Sequence, residues 1–355
     1  MSTTGAMGTL DAKGSGSTRK PRVTYFDWLR GMATLAVVVL HMFNKILTDH
    51  PTAELGVPMV VAWTELQLLF TRWAVPIFLM VTGALLLDPK REMRWPKLGR
   101  YILRMVETLA IFCPVYACVS AKTVSLESIG KGLADLVTQG SWDHLWYPYA
   151  LIGLYLLTPI LSAYVRGTSQ RMQRDTLLVL AIPTLVVPTL RSITHLPLVD
   201  IGWVAFPVFY YLLGSYVHRY LRLDGTTAFV GLGALALCAV ACAAIICLQV
   251  YYPKWLIVPQ CPLVALWAVL VFVAVRSAVG HREPPRLLAF ASSHSLSIYL
   301  LHPIVMVVLY RRLWWMPYET MPPVIFELVV LAIAYGVTLP AAALLKRIPV
   351  LRDIL

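Results

Sequence analysis

The chain has 355 residues, of which 59% are apolar and only 14% charged, and it carries a formal net charge of +12. A soluble protein has about a quarter charged residues, so this composition excludes an ordinary soluble domain and indicates a polytopic membrane protein. The lysines and arginines fall in short clusters between apolar runs, which is the pattern of loops on one side of a membrane and not of a nucleic-acid surface.

The first 22 residues are rich in Gly, Ser and Thr and end in Arg19, Lys20, Pro21 and Arg22, a composition expected of a disordered cytosolic tail without a cleavable signal. A membrane span needs about 20 mostly apolar residues. Ten such stretches follow, at 27–47, 67–87, 103–121, 145–165, 175–192, 201–218, 226–249, 258–277, 290–310 and 323–345. The expected fold is therefore all-α, a transmembrane domain of about ten helices over 23–345 with a second cytosolic tail at 346–355. Prolines inside several spans (Pro76, Pro114, Pro159, Pro183, Pro207, Pro340) are compatible with this, because neighbouring helices satisfy the carbonyls that they free.

Orientation follows from the basic residues. With the N-terminus inside, 21 lysines and arginines fall in inside segments and 7 outside, with Arg30 and Arg72 within spans. That bias places both termini in the cytoplasm and requires an even number of spans. The longest loop, about 123–144, falls outside, and its SLESIGKGLADLV stretch suits a short interfacial helix. No loop is large enough for a soluble domain, so any chemistry is built between helices. The six cysteines lie in or beside apolar runs without a C-x-x-C pair, which fits small buried hydrophobes better than a disulfide framework or a metal site.

The first span is the most informative. In YFDWLRGMATLAVVVLH (25–41), Arg30 and His41 are eleven residues apart. At about 100° per residue they return to within about 20° of one helix face, roughly 16 Å apart along the axis. Ionisable side chains inside a membrane are costly and usually functional unless they snorkel. Arg30 is near the end of its run and can reach the headgroups, and Asp27 is placed for an i,i+3 ion pair with it. His41 lies deeper, and histidine is the side chain suited to proton transfer near neutral pH.

Four ordered stretches carry a resemblance to a known family. Arg30-x10-His41 is similar to the first-helix signature of the acyltransferase-3 family of bacterial membrane acyltransferases. VPIFLMVTGALLL (75–87) resembles the second-helix segment of that family, with Thr82 where serine is more usual. HLWYPYALIGLYLLTPIL (144–161) resembles a segment of its O-acetyltransferase branch, which includes enterobacterial-common-antigen acetylation. SLSIYLLHPIV (295–305) resembles a late-helix motif with a second histidine, here His302.

The resemblance implies a multi-pass protein of the bacterial inner membrane that transfers an acyl group, usually acetyl from cytosolic acetyl-CoA, to a hydroxyl of a sugar or glycolipid near the outer face. Acetyl-CoA is then a substrate, and no permanently bound cofactor or metal is implied. On this reading Arg30 faces CoA phosphates, His41 is the general base, and His302 is a second catalytic histidine that orients the acceptor, stabilises the oxyanion or bridges helices. The family commonly has R-x-x-R at the start of the third span. Here Arg100 and Arg104 are four apart, still on one helix face, and are candidates for the CoA phosphates or simply members of a positive-inside loop. Arg72, Trp146 and Tyr149 are candidate acceptor-binding residues, although aromatics at a helix end, such as Trp314 and Trp315, also form the interfacial belt. No nucleophilic serine or cysteine motif stands out, which favours direct transfer over an acyl-enzyme. A proton-coupled or solute transporter is the alternative function, a structural subunit of a glycan-assembly complex a third, and a homo-oligomer is left open.

Overall fold

The computed structural model describes residues 23–49, 67, 69–91, 94–138, 140–249, 258–313 and 323–355, and among these there is no strand. The 1–22 leader, Trp314 and Trp315 lie outside the described residues, as do the side chains of Lys45, Cys238, Cys242, Cys247 and Glu327. The helices run in the order α1 (Thr24–Asp49), α2 (Ala74–Leu86), α3 (Trp95–Ala121), α4 (Leu126–Asp135), a 3-10 turn (Asp143–Leu145), α5 (Trp146–Gly167), α6 (Gln170–Ala181), a π segment (Ile182–Val186) and α7 (Val187–Thr194). They continue as α8 (Gly202–Arg219), α9 (Gly225–Gln249), α10 (Pro262–Val279), α11 (Arg286–Ser293), α12 (Ser295–Leu313), α13 (Pro323–Leu345) and α14 (Pro349–Ile354).

Each expected span overlaps helix among the described residues, but three are not single straight helices. The 290–310 stretch is broken between α11 and α12, whose axes meet at 87°. The cause is local. At the corner the Ser293 hydroxyl donates to the Phe290 carbonyl at 2.9 Å, and the His294 Nδ1 lies 2.9 Å from the same oxygen. Side chains that bond nearby carbonyls compete with the helical ladder and favour a break. The His294 ring also stacks on Phe290 at 4.0 Å, which locks the corner. The 67–87 stretch likewise has a turn at 71–73 before α2 begins. In the α6–α7 run the ladder slips to π geometry at Ile182–Val186, where Pro183 has no N–H to offer.

Five described helical runs are long and apolar enough to cross a membrane (Trp95–Ala121, Asp143–Gly167, Gln170–Thr194, Pro262–Val279 and Leu328–Leu345), and a sixth is added if the bent pair forms one span. Their outward residues suit lipid: Ile160 is 68% exposed and Leu178 63%. Lipid is as apolar as leucine, so helices in a membrane are held by close packing and hydrogen bonds and not by hydrophobic burial. Both are visible. A Cβ added at Gly83 in α2 would overlap the Tyr211 carbonyl of α8, and one at Gly214 in α8 would overlap the Met80 carbonyl of α2. The two backbones therefore touch along this crossing. Gly31 of α1 is pressed in the same way against Leu288 of α11.

Hydrogen bonds tie the remaining helices around this centre. Tyr335 of α13 donates to the Leu35 carbonyl of α1 at 2.6 Å, Tyr116 of α3 to the Leu300 carbonyl of α12 at 2.8 Å, and Thr158 of α5 lies 2.9 Å from the Tyr211 hydroxyl of α8. Each such contact is worth on the order of 0.6–2 kcal/mol in a membrane. Ser292 of α11 donates to the buried Asp27 carboxylate at 3.1 Å. Asp27 is thus part of the α1–α11 joint. The α4 helix is built as expected in the 123–144 loop, its start closed by a reciprocal Ser125–Ser128 capping box. Cys113 is a buried free thiol and Cys118 a half-buried one, and Cys261 is also buried.

Candidate active site

A cavity of about 370 Å³ lies between α1, α2, α3, α5 and the start of α12, within the range of about 300–1,000 Å³ usual for small-molecule sites. Arg30 and His41 both line it. The eleven-residue spacing on α1 sets their separation along the cavity, with an arginine end and a histidine end.

At the arginine end Arg30 is joined by Arg91 and Arg104. Arg91 sits just beyond α2, where its guanidinium donates to the Leu85 carbonyl at 3.2 Å. Arg104 projects from the third turn of α3, and its Nε donates to the Ile354 carbonyl of α14. Arg100, one turn earlier, is exposed and does not line the cavity. Sharing a helix face does not put both at one depth, since one turn is about 5.4 Å of axial rise.

At the histidine end three imidazoles gather from three distant parts of the chain. The His41 ring lies 5.0 Å, centre to centre, from that of His302 on α12 and 6.2 Å from that of His144 in the 3-10 turn, and His144 and His302 are 6.2 Å apart. His41 and His144 line the cavity; His302 is fully buried behind them. Its Nδ1 lies 2.9 Å from the Ile298 carbonyl. A carbonyl only accepts, so a neutral His302 carries its proton on Nδ1 and is left with a lone pair on Nε2. Neither ring nitrogen of His144 has a hydrogen-bond partner among the described residues, although the side chain is only 3% exposed. Among these residues no group of three or more His, Cys, Asp or Glu is arranged to hold a metal ion.

The walls between the ends are aromatic: Phe78, Tyr101, Trp146, Tyr147, Tyr155 and Tyr299. Arg30 acts electrostatically on Tyr147 and Tyr155, and Arg104 on Tyr155. The Tyr299 hydroxyl donates to the His144 carbonyl, and Thr82 donates to the Phe78 carbonyl at 2.7 Å. Of the candidate acceptor-binding residues, Trp146 lines the cavity. Tyr149 does not; its hydroxyl donates at 2.8 Å to the Leu136 carbonyl beside α4. Arg72 is also outside the lining, bonded to the Gln67 side chain, with its charge near enough to act on His41.

A family model described as an acyltransferase domain matches residues 23–346. The chain belongs to the acyltransferase-3 family. No curated protein and no solved structure matches it. As a member of this family it is a membrane acyltransferase, and every residue lining the cavity falls within the matched stretch. The Ile354 carbonyl that holds Arg104 lies just beyond it.

Reading the sequence of this acyltransferase did not single out Arg91, His144, Tyr155 or Tyr299, and it gave Tyr147 only as one of an aromatic cluster with Trp142, Trp146 and Tyr149 that could pack against a sugar ring. For two of the tyrosines a signal was present. Tyr147, Leu151 and Tyr155 recur every four residues and share one face of α5. Tyr149, two residues on from Tyr147, is rotated by about 200° and turns away. Arg91 gave no such signal, because nothing in a loop cluster of basic residues says which one folds inward.

Proposed function

We propose that this chain is an O-acyltransferase, most simply an O-acetyltransferase, moving acetyl from cytosolic acetyl-CoA to a hydroxyl of a cell-surface or lipid-linked glycan. The observation that carries this reading is one cavity with three arginines at one end and two histidines at the other. Arginine suits phosphate, because its planar fork gives several charge-assisted hydrogen bonds. The basic asymmetry of the loops supports a cytoplasmic arginine end, on the side where the donor is found, and the family resemblance supports a bacterial inner membrane. The glycan then meets the thioester at the histidine end, and the resemblance of 144–161 to the O-acetyltransferase branch supports a sugar hydroxyl as acceptor.

In the reaction, Arg30 and Arg104, with Arg91 beside them, hold the donor phosphates. His41 accepts the proton of the acceptor hydroxyl as that oxygen attacks the thioester carbonyl carbon. The tetrahedral intermediate collapses by breaking the C–S bond, and the thiolate leaves with the proton returned by His41. His302 acts through His41 as a positioning residue. The protein ends unchanged, so no acyl-enzyme is needed.

Purified full-length protein in proteoliposomes, given radiolabelled acetyl-CoA and a glycolipid extract from the cells that make it, tests the proposal. Label is expected in a glycan or lipid product, with release of free CoA. Solute flux without any consumption of acetyl-CoA would overturn it.

A further inference from the structure

We infer that His144 is a further catalytic residue of this site, the group that donates a hydrogen bond to the thioester carbonyl oxygen as it becomes an oxyanion. The inference rests on the acyl-transfer reading above and extends it to a residue that the sequence did not single out.

Acyl transfer through a tetrahedral intermediate places a negative charge on the former carbonyl oxygen. A preorganised donor at that oxygen is commonly the largest single contribution to such catalysis. The donor has to line the cavity at the His41 end, and its N–H or O–H has to be unspent. His41 does not qualify, since a base presents a lone pair to the hydroxyl. His302 is walled off behind it, and its one proton in the neutral ring is committed to the Ile298 carbonyl at 2.9 Å. The hydroxyls of Tyr299 and Thr82 are also used, on the His144 and Phe78 carbonyls.

His144 meets each requirement. It lines the cavity, its ring centre is 6.2 Å from that of His41, and both its nitrogens lack a hydrogen-bond partner among the described residues while the side chain is 97% shielded. A neutral imidazole always carries one N–H, and a buried polar group without a partner costs on the order of 1–3 kcal/mol. A ligand oxygen at this spot removes that cost. The ring is also held in place. Tyr116 meets it edge-on at 4.7 Å and Tyr299 at 5.2 Å, and the Tyr299 hydroxyl grips its carbonyl. Such fixing is what preorganisation requires, because a donor already aimed needs no reorganisation when the charge appears.

The bond changes balance. The acceptor oxygen bonds to the carbonyl carbon while its proton passes to His41. The carbonyl π pair moves onto the oxygen facing His144, then returns as the C–S bond breaks. The thiolate takes the proton from His41, and His144 keeps its own proton throughout.

The test compares wild type, His144→Ala, His144→Gln and His144→Asn in the proteoliposome assay, with two further readouts. One is the unfolding midpoint of each variant. The other is the infrared carbonyl stretch of bound acetyl-CoA labelled with carbon-13 at the thioester carbon. His144→Ala is expected to lower kcat by about 10²–10³-fold, with KM for acetyl-CoA and for the glycolipid extract changed less than about threefold. At least one amide variant keeps a donor at the site and is expected to recover tenfold or more over alanine. The carbonyl band is expected at lower frequency in wild type and in that amide variant than in His144→Ala. A His144→Ala enzyme with kcat near wild type, a loss confined to KM, or amide variants as inactive as alanine with wild-type unfolding midpoints would each overturn the inference. If wild type itself transfers nothing from acetyl-CoA, the acyl-transfer reading fails and the inference falls with it, a result distinct from an active wild type matched by His144→Ala.

Discussion

His41 and His302 stand with their ring centres 5.0 Å apart, one from the first helix and the other from the twelfth. The two lie 261 residues apart in the 355-residue chain, so the histidine end forms only when α1, α11 and α12 are docked. Only His41 of the two reaches the cavity. This orders their roles, with His41 meeting substrate and His302 setting its surroundings.

Replacing His41 by alanine or glutamine is expected to lower kcat by about 10²–10⁴-fold, the usual contribution of a positioned base. Acetyl-CoA binding should change little. The wild-type rate falls toward acidic pH, because a protonated imidazole has no lone pair to accept a proton. Stopped assays across pH on wild type and His41→Gln check both points. A glutamine variant with more than about a tenth of the activity would leave less than about 1.4 kcal/mol resting on basicity, and the base would have to be another group.

Among the arginines, Arg30→Ala and Arg104→Ala are each expected to weaken acetyl-CoA binding about ten- to hundredfold, since a charged hydrogen bond contributes about 1.5–3 kcal/mol. Arg100→Ala is expected to bind acetyl-CoA as wild type does, being exposed and off the cavity. Titration calorimetry in detergent distinguishes the three. Equal losses at Arg100 and Arg104 would show that the donor lies outside the cavity.

The α2–α8 crossing gives a stability prediction. Gly83→Val and Gly214→Val force side chains into backbone carbonyls and are expected to destabilise by more than the about 1–3 kcal/mol of ordinary overpacking, because neither helix axis yields without disturbing the other. Gly153→Ala in α5 is the control. A Cβ there meets nothing within 4 Å, and alanine is the better helix former by about 1 kcal/mol. Thermal unfolding in detergent is the measurement. Gly83→Val melting at or above Gly153→Ala would contradict the packing described.

Reporter fusions test orientation. A fusion after residue 95 is expected to report from the cytoplasm and one after residue 135 from the outer side. The reverse result would place the arginine end away from the cytosolic donor and overturn the assignment of sides.

Helices were legible in the sequence because a membrane forces backbone polar groups to bond within their own segment, so apolar length translates directly into helix. The Arg30–His41 relation was legible for the same reason, as helical geometry fixes it without knowledge of any partner. The corner at Ser293–His294 was not. Hydropathy is blind to one serine and one histidine that bond back to Phe290. His144 was also hidden. Its environment comes from Tyr116, His41, Tyr299 and His302, and no local pattern announces neighbours so distant in the chain. Tyr149 misled for the opposite reason. It has the chemistry of a sugar-stacking ring, but its rotation on α5 turns it toward Leu136.

The 87° corner between α11 and α12 also decides how the site responds to its solvent. His302 lies seven residues beyond the first residue of α12, about 10 Å along the axis at 1.5 Å per residue. Its depth is measured from the corner, and the corner is pinned to α1 through Gly31 and Asp27, the helix that also carries His41. Both histidines are thus referred to one internal joint and not to the membrane surfaces. When a bilayer is thicker or thinner than the protein, helices tilt or lipids stretch to take up the difference; with both histidines hung from one joint, that adjustment is expected to fall on the other helices and to leave the distance between the two imidazoles unchanged.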